Sequence, residues 1–452
     1  MRVAALMLLA TALGAAEQRP NVVLILADDL GWSQIGANGG EAYRTPNIDR
    51  LASEGVRFTN AYSSAAVCSP TRAALMSGLY PARLHLTDHI KGSNPKGKPL
   101  LQPEWHKRLD LEVTTVAEVF RRNGYRTAHF GKWHLSQDKR PPASLPYNPD
   151  KQGFDEVLVT YKPIIGESDP EVDPHNVQSI TDHALRFLES HGSEPFFLYL
   201  PHNSIHEPVI ESRARISPYI GHPLLERLQI MPTIAAIVER LDDGVGQVVS
   251  KLDQLGLRDN TMVIFYSDNG GKETYARQDP LRSGKGWLYE GGVRVPLVIR
   301  WPGHTDPGSM TDHLMTTVDL FPTFLELLDD ADAPDDLDGE SFLDVLQGQA
   351  SRTERTLYWH YPHYHVGSGM VPAGAIRRGK YKFIEWFEGT VAGAGRKYEL
   401  FDLAEDISES RDLTGSRPEI AERLRADLEA WRGRVGAQMP IPNPKQRQDP
   451  AH

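Results

Sequence analysis

One cysteine occurs in 452 residues, within Ala65-Ala66-Val67-Cys68-Ser69-Pro70-Thr71-Arg72-Ala73-Ala74-Leu75-Met76-Ser77-Gly78. Ser69 reads as a helix cap, Pro70 as the first helical residue and Gly78 as the stop, which puts Cys68 at a helix N-terminus. Unpaired N–H groups and the positive end of the helix dipole favour an anion there, and Arg72, one turn on, projects to the same side. A lone cysteine can equally be a small buried hydrophobe. Other reactive side chains follow apolar runs: Asp28-Asp29, Lys132 with His134, His202, and Asp268-Asn269. Three carboxylates and an amide oxygen are hard ligands suited to Ca²⁺ or Mg²⁺, whereas zinc would ask for His or Cys. The alternative for Asp28-Asp29 is a helix cap, and for Lys132 and His134 a solvated surface pair.

Cys-x-Pro-x-Arg followed by the Ala/Leu/Met/Ser-Gly helix closely resembles the signature of the formylglycine-dependent sulfatases (type I, alkaline-phosphatase-like superfamily), in particular bacterial arylsulfatase A-like carbohydrate sulfatases. The resemblance runs from Asn21 to Glu399-Leu400-Phe401-Asp402-Leu403. It implies that a formylglycine-generating maturation enzyme oxidises Cys68 to an aldehyde. It also implies Ca²⁺ on Asp28, Asp29, Asp268 and Asn269, with the modified Cys68 completing the shell. Arg72, Lys132, His134, His202 and Lys285 would then surround the sulfate, matching Cys-x-Pro-x-Arg, Gly-Lys-Trp-His, Pro-His and Gly-Lys-Gly. In the family one hydroxyl of the hydrated aldehyde attacks sulfur, with Asp268 as proton acceptor. His202 or Lys285 protonates the leaving alcohol, and the second hydroxyl, deprotonated by His134, expels sulfate.

One position departs from the family pattern. Many relatives carry proline two residues after the substrate histidine, and here that residue is Ser204, so His206 competes for His202's role. The loop Tyr80–His89, with Arg83 and His89, and the cluster His360-Tyr361-Pro362-His363-Tyr364-His365 resemble relatives acting on sulfated sugars, including galactose and N-acetylgalactosamine units. Tyr361, His363 and His365 are accordingly expected at the substrate, along with Arg83, His89 and His206. Two other activities stay open: a phosphomonoester or diester hydrolase of the same superfamily, which typically carries Asp-His where Asp268-Asn269 stands, and a non-catalytic sulfated-glycan-binding relative.

These residues need a scaffold that gathers strand ends. Asn21–Ala27 is a continuous apolar run of the kind that forms a strand buried on both faces. Strands are also expected near 125–130, 195–200, 261–267 and up to Trp301, alternating with helices near 45–52, 116–123, 180–190, 231–255 and 318–328. Right-handed crossovers bring the carboxyl ends of such strands to one edge, where ligand sites lie. The fold expected is therefore α/β, a large mostly parallel sheet sandwiched by helices. Residues 91–108, rich in Lys, Pro and Gly, read as a surface loop near the site mouth, and 138–177 as an irregular excursion. From Leu357 the texture turns to short strands and one helix near 418–431, a smaller C-terminal antiparallel sheet plus helix with a polar tail from 440.

The N-terminus reads as a signal peptide over residues 1–16, with a basic start, an apolar run from Val3 to Leu13 and small residues before cleavage. A catalytic part over 17–350 and a small part over 351–452 follow. Export to the periplasm or outside the cell is expected, and the apolar run falls short of the ~20 residues of a span. An unpaired reactive thiol is a liability in that setting, which favours chemistry at Cys68. The net charge of −11 offers no electrostatic footprint for nucleic acid, so basic side chains should gather locally where an anion binds.

Overall fold

The computed structural model describes residues 19–137, 145–334 and 336–446. The expected signal peptide and the end of the polar tail lie outside them. Among the described residues, eight strands form the main sheet: β1 (Asn21–Ala27), β2 (Val56–Phe58), β3 (Arg126–Gly131), β4 (Glu156–Val159), β5 (Phe196–Pro201), β6 (Thr261–Ser267), β7 (Leu297–Arg300) and β8 (Ser309–Thr311). Their order is β8-β2-β7-β6-β1-β5-β3-β4. Strands β6, β1, β5, β3 and β4 are parallel, and β7 enters antiparallel between β6 and β2.

Helices α1 (Pro46–Glu54), α2 (Cys68–Ser77), α3 (Val116–Arg122), α4 (Val177–His191), α5 (Pro232–Gln254) and α6 (Leu320–Leu327) cover both faces. Alternation along β1 explains its unbroken apolar run. Val22, Leu24 and Leu26 pack with Met76 of α2, Phe120 of α3 and Phe324 of α6. Val23, Ile25 and Ala27 pack with Leu51 of α1, Ile180 of α4 and Val245 of α5 on the other side. Every residue of α2 is buried, so the Cys68 helix is part of the core rather than a surface helix.

The start of α2 differs from the sequence expectation. Val67, in extended backbone, is the N-cap and Cys68 is already the first helical residue. The Ser69 hydroxyl does not cap; it accepts the Ile90 N–H at 3.0 Å and so ties the next loop to the helix. Gly78 closes the helix as expected, in the left-handed region at φ 71°. Two short pairings also went unread. The excursion at 138–177 contains the edge strand β4, and Ile441–Pro442 in the expected tail pairs with Leu100–Leu101 of the 91–108 loop.

A second, antiparallel sheet runs β9 (Thr356–Tyr361), β10 (Ala373–Arg378), β11 (Tyr381–Trp386) and β12 (Tyr398–Asp402) in chain order. Helix α7 (Pro418–Val435) sets Leu424, Leu428 and Trp431 on Ile376, Phe383 and Leu400 of one face. The other face lays Trp359, Ile384 and Phe401 on Tyr62, Leu288 and Val293. At this seam Lys382, fully buried, sits 2.9 Å from Glu290 and 3.1 Å from Glu409. Among the described residues, no helix is long and apolar enough to cross a membrane.

Candidate active site

Parallel pairing of β1 and β6 sets Ala27 opposite Ser267, so the chain leaves both strands with carboxylates side by side. The Asp29 N–H donates to Asp268 Oδ1 at 3.1 Å, and Asp29 adopts φ 66°, a left-handed turn that swings its carboxylate back beside Asp28. On the far side of β5, Gly131 ends β3 at φ 142°, and a Cβ there would stand 1.9 Å from the Pro201 carbonyl. Only glycine permits this approach, which delivers Lys132 to within 2.7 Å of Asp28.

Cys68 Sγ lies 3.4 Å from Asp28 Oδ1, 3.9 Å from Asp29 Oδ1 and 3.5 Å from Lys285 Nζ. Lys285 also reaches Asp29 at 2.7 Å. Arg72 pairs with Asp268 at 2.7 Å and donates to the Lys132 carbonyl at 3.1 Å. Three buried carboxylates thus face three cations. Burial raises the Asp29 carboxyl, but Lys285, His206 and Lys132 outweigh it and hold the group well below the usual carboxylate range. Burial pushes the Cys68 thiol up to about 12, with Asp268 and Asp28 adding to the effect and Lys132 and Lys285 opposing it. His134 is held neutral by burial and by the charges of Lys132 and Arg72, with Nε2 3.3 Å from the Ile90 carbonyl.

The donor set fits a hard divalent ion. Ligand-type atoms of Asp28, Asp29, Cys68 and His206 lie within 4.8 Å of one another. The Asn269 amide donates to Asp29 Oδ1 at 2.8 Å, while its Oδ1 is buried with no hydrogen-bond partner, an oxygen such an ion would take.

Of the two histidines that compete for one role, the later approaches the carboxylates. His202 is buried toward the helix layer, its Cε1 4.0 Å from where a Cβ on Gly244 would stand, and it makes no hydrogen bond through Nδ1. His206, four residues on, brings Nε2 to 3.9 Å from Asp29 Oδ2. The loop after β5 turns back on itself there, pinned by Asp28 N–H to the Ser204 carbonyl at 2.7 Å, and the turn returns the later imidazole to the site.

The expected substrate contacts also divide. Arg83 is not at the site: it pairs with Asp338 at 2.6 Å, in a carboxylate that also accepts the Tyr80 N–H. His363 spends both ring nitrogens, on Thr87 and Gln102, each at 2.8 Å. Tyr361 and His89 both bond Asp88, at 2.8 and 2.9 Å. His365 stands at the site, beneath Gly286, and lines a cavity of about 280 Å³ with Lys285, Trp287, Lys272 and Ser368. Trp287 was missed, though it stands two residues past Lys285; its ring stacks on Tyr289 with centroids 5.8 Å apart. Lys162 was missed as well: burial lowers it, and Lys132, Lys285 and Asp28 all act on it.

Carboxylates and cations gathered at the strand ends of a three-layer α/β sandwich define a hydrolase for anionic esters. The chain belongs to the sulfatase family, whose model matches residues 20–331, and is a sulfuric ester hydrolase. A second family model, the C-terminal part of N-sulphoglucosamine sulphohydrolase, matches residues 283–433. Human arylsulfatase A is 32% identical, over 93% of this chain and 89% of its own length. N-acetylgalactosamine-6-O-sulfatase of Bacteroides thetaiotaomicron is 28% identical, over 93% and 94%. The crystal structure of Ps i-CgsB in complex with k-i-k-neocarrahexaose superposes with a TM-score of 0.76 at 28% identity, covering 92% of this chain and 93% of that one.

Proposed function

We propose that the chain is an exported carbohydrate sulfatase that releases sulfate from a galactose- or N-acetylgalactosamine-type glycan, with Cys68 matured to formylglycine and one Ca²⁺ bound. The environment of Cys68 carries this reading. Its Sγ lies 3.4 Å from Asp28, 3.9 Å from Asp29 and 3.5 Å from Lys285, within the cluster of charged groups, and burial raises the thiol, which disfavours a thiolate nucleophile. At this position the hydrate of a formylglycine would supply a hydroxyl nucleophile in place of the sulfur. The names of the Bacteroides relative and of the Ps i-CgsB complex support the sugar class.

Asp28, Asp29, Asp268 and Asn269 would hold the calcium. When bound, the ion supplies fixed positive charge beside the nucleophile and the sulfate oxygens. Arg72, Lys132 and Lys285 already balance the three carboxylates, so the loaded pocket is net positive, as an anionic ester requires. Lys132 and Lys285 orient the sulfate, and Arg72 sets Asp268. Neutral His134 accepts a proton, and His206 takes the leaving-oxygen role first given to His202. Burial and the charges of Lys285 and Lys132 lower His206 against the pull of Asp29, so it carries the proton it donates only with the anionic ester bound. The leader read at 1–16 supports export, with a catalytic part over 17–350 and a small part over 351–452. The 280 Å³ cavity beside Lys285, walled by Trp287 and His365, is suited to the sugar ring.

Peptide mass spectrometry of active protein is expected to find the residue-68 peptide as the aldehyde. Active material containing only alkylatable Cys68 would overturn the reading.

A further inference from the structure

A second and larger cavity, about 510 Å³, opens beside the catalytic segment and has no part in the chemistry described above. Its walls are the 104–110 stretch on one side and Gln137 with Tyr147 on the other. Both walls are fastened to the residues that flank His134. The Leu109 N–H donates to the Leu135 carbonyl at 2.9 Å, one residue past His134. Trp133, one residue before His134, donates its indole N–H to the Tyr147 carbonyl at 2.8 Å. Trp105 lies edge-on to His363, ring centroids 5.8 Å apart, and His363 in turn contacts Tyr361 at 5.5 Å.

The lining has a definite chemistry. Lys107 lies over the Trp105 ring at 5.5 Å and Arg108 over Tyr147 at 4.5 Å, so each aromatic plane carries a cation. Glu104 and Asp110 also line the cavity, and Asp110 takes the Arg108 Nε–H at 2.8 Å. Two cations against two carboxylates do not make a general polyanion sink. They suit a ligand with an apolar ring face and one isolated anionic group, the first for an aromatic plane and the second for Lys107 or Arg108. Gln137 stands three residues past His134, at most about 10 Å of extended chain. The cavity is therefore within reach of the same substrate molecule.

We infer that this cavity binds a further sulfated sugar unit of the substrate chain, so that the enzyme reads an oligosaccharide rather than a lone terminal residue. The inference rests on the carbohydrate-sulfatase reading. Its test compares Lys107→Gln/Arg108→Gln, both exposed positions, and separately Trp105→Ala, with the unaltered chain. Carrageenan, chondroitin sulfate and heparin oligosaccharides are supplied as di- and hexasaccharides, with 4-nitrophenyl sulfate as the small substrate. On the series turned over fastest, the unaltered chain is expected to favour the hexasaccharide. The double variant should cut the hexasaccharide-to-disaccharide ratio of kcat/KM about tenfold, the loss of two exposed cation contacts. No length preference in the unaltered chain, a ratio unchanged in both variants, or hydrolysis of 4-nitrophenyl sulfate without any hexasaccharide overturns the second subsite. Failure to release sulfate from any of these substrates overturns the underlying carbohydrate-sulfatase reading instead.

Discussion

Lys285 holds its ammonium 3.5 Å from the Cys68 sulfur although 217 positions separate the two in the chain. The same ammonium lies 2.7 Å from Asp29, so one side chain links the nucleophile position to a metal-site carboxylate. Lys285→Ala is expected to lower kcat on 4-nitrophenyl sulfate by about 10²–10³, the range for removing one preorganised donor at developing charge. A loss smaller than about fivefold would remove Lys285 from the machinery.

His206 and His202 should separate by leaving group. An acid matters most when the departing oxygen is a poor leaving group, so His206→Ala should reduce turnover of a sugar sulfate by about 10²–10⁴ and spare 4-nitrophenyl sulfate. His202→Ala should act on thermal stability, with similar small changes on both substrates. The reverse pattern would restore His202 as the acid.

His363 and His365 make a similar pair. Removing His363 leaves the partners Thr87 and Gln102 unsatisfied in a buried setting, which costs about 1–3 kcal/mol of stability and falls equally on all substrates. His365→Ala should instead raise KM for the saccharide while leaving the aryl sulfate unchanged. Parallel kinetics and melting curves for the two variants decide the assignment.

Elemental analysis of the purified protein should find about one Ca²⁺ per chain and no stoichiometric zinc, given the hard oxygen donors. Asn269→Ala removes the buried oxygen that has no other partner and should weaken calcium retention through dialysis. Two zinc ions per chain would point to phosphoryl chemistry.

Stability should also depend on pH through the seam between the sheets. Burial pushes Glu409 up to about 7 against the pull of Lys382, with Glu290 close by adding to the rise. Glu290 itself is held down to about 2 by Lys382, Arg294 and Arg377 against its own burial. In the unfolded chain Glu409 titrates near its ordinary ~4.3. Between the two values the folded state binds more protons, so this group's contribution to stability falls as pH rises from about 4.5 to about 7. Glu409→Gln should flatten the melting temperature against pH over that window and stabilise the protein above it. An unchanged slope would remove Glu409 as its source.

Much of the site was legible because apolar runs mark strand ends. Asp28-Asp29, Lys132 and Asp268 each follow a run buried on both faces, and parallel strands must bring those ends to one edge. What the runs do not encode is the path of the loops between them. Whether His202 or His206 faces the pocket depends on a turn held by Ser204 and Asp28, a contact with no local pattern. Arg83 was misplaced for the same reason: its partner Asp338 lies 255 residues on, and a basic residue on a loop looks alike whether it meets substrate or a distant carboxylate. Ser69 read as a cap from its type, yet Val67 already occupies that place. Strand β4 escaped because a half-exposed edge needs no apolar run.

The ladder joining Leu100–Leu101 to Ile441–Pro442, extended by the Asn443 N–H to the Pro99 carbonyl at 2.8 Å, bears on the order of events during synthesis. Translation delivers Cys68 hundreds of residues before 441–443 emerge. Until they do, Leu100–Leu101 have no strand to lie against. In the finished fold Cys68 is 1% exposed, out of reach of any other protein. A modification of this side chain that needs another protein would therefore have to come before the fold closes over it.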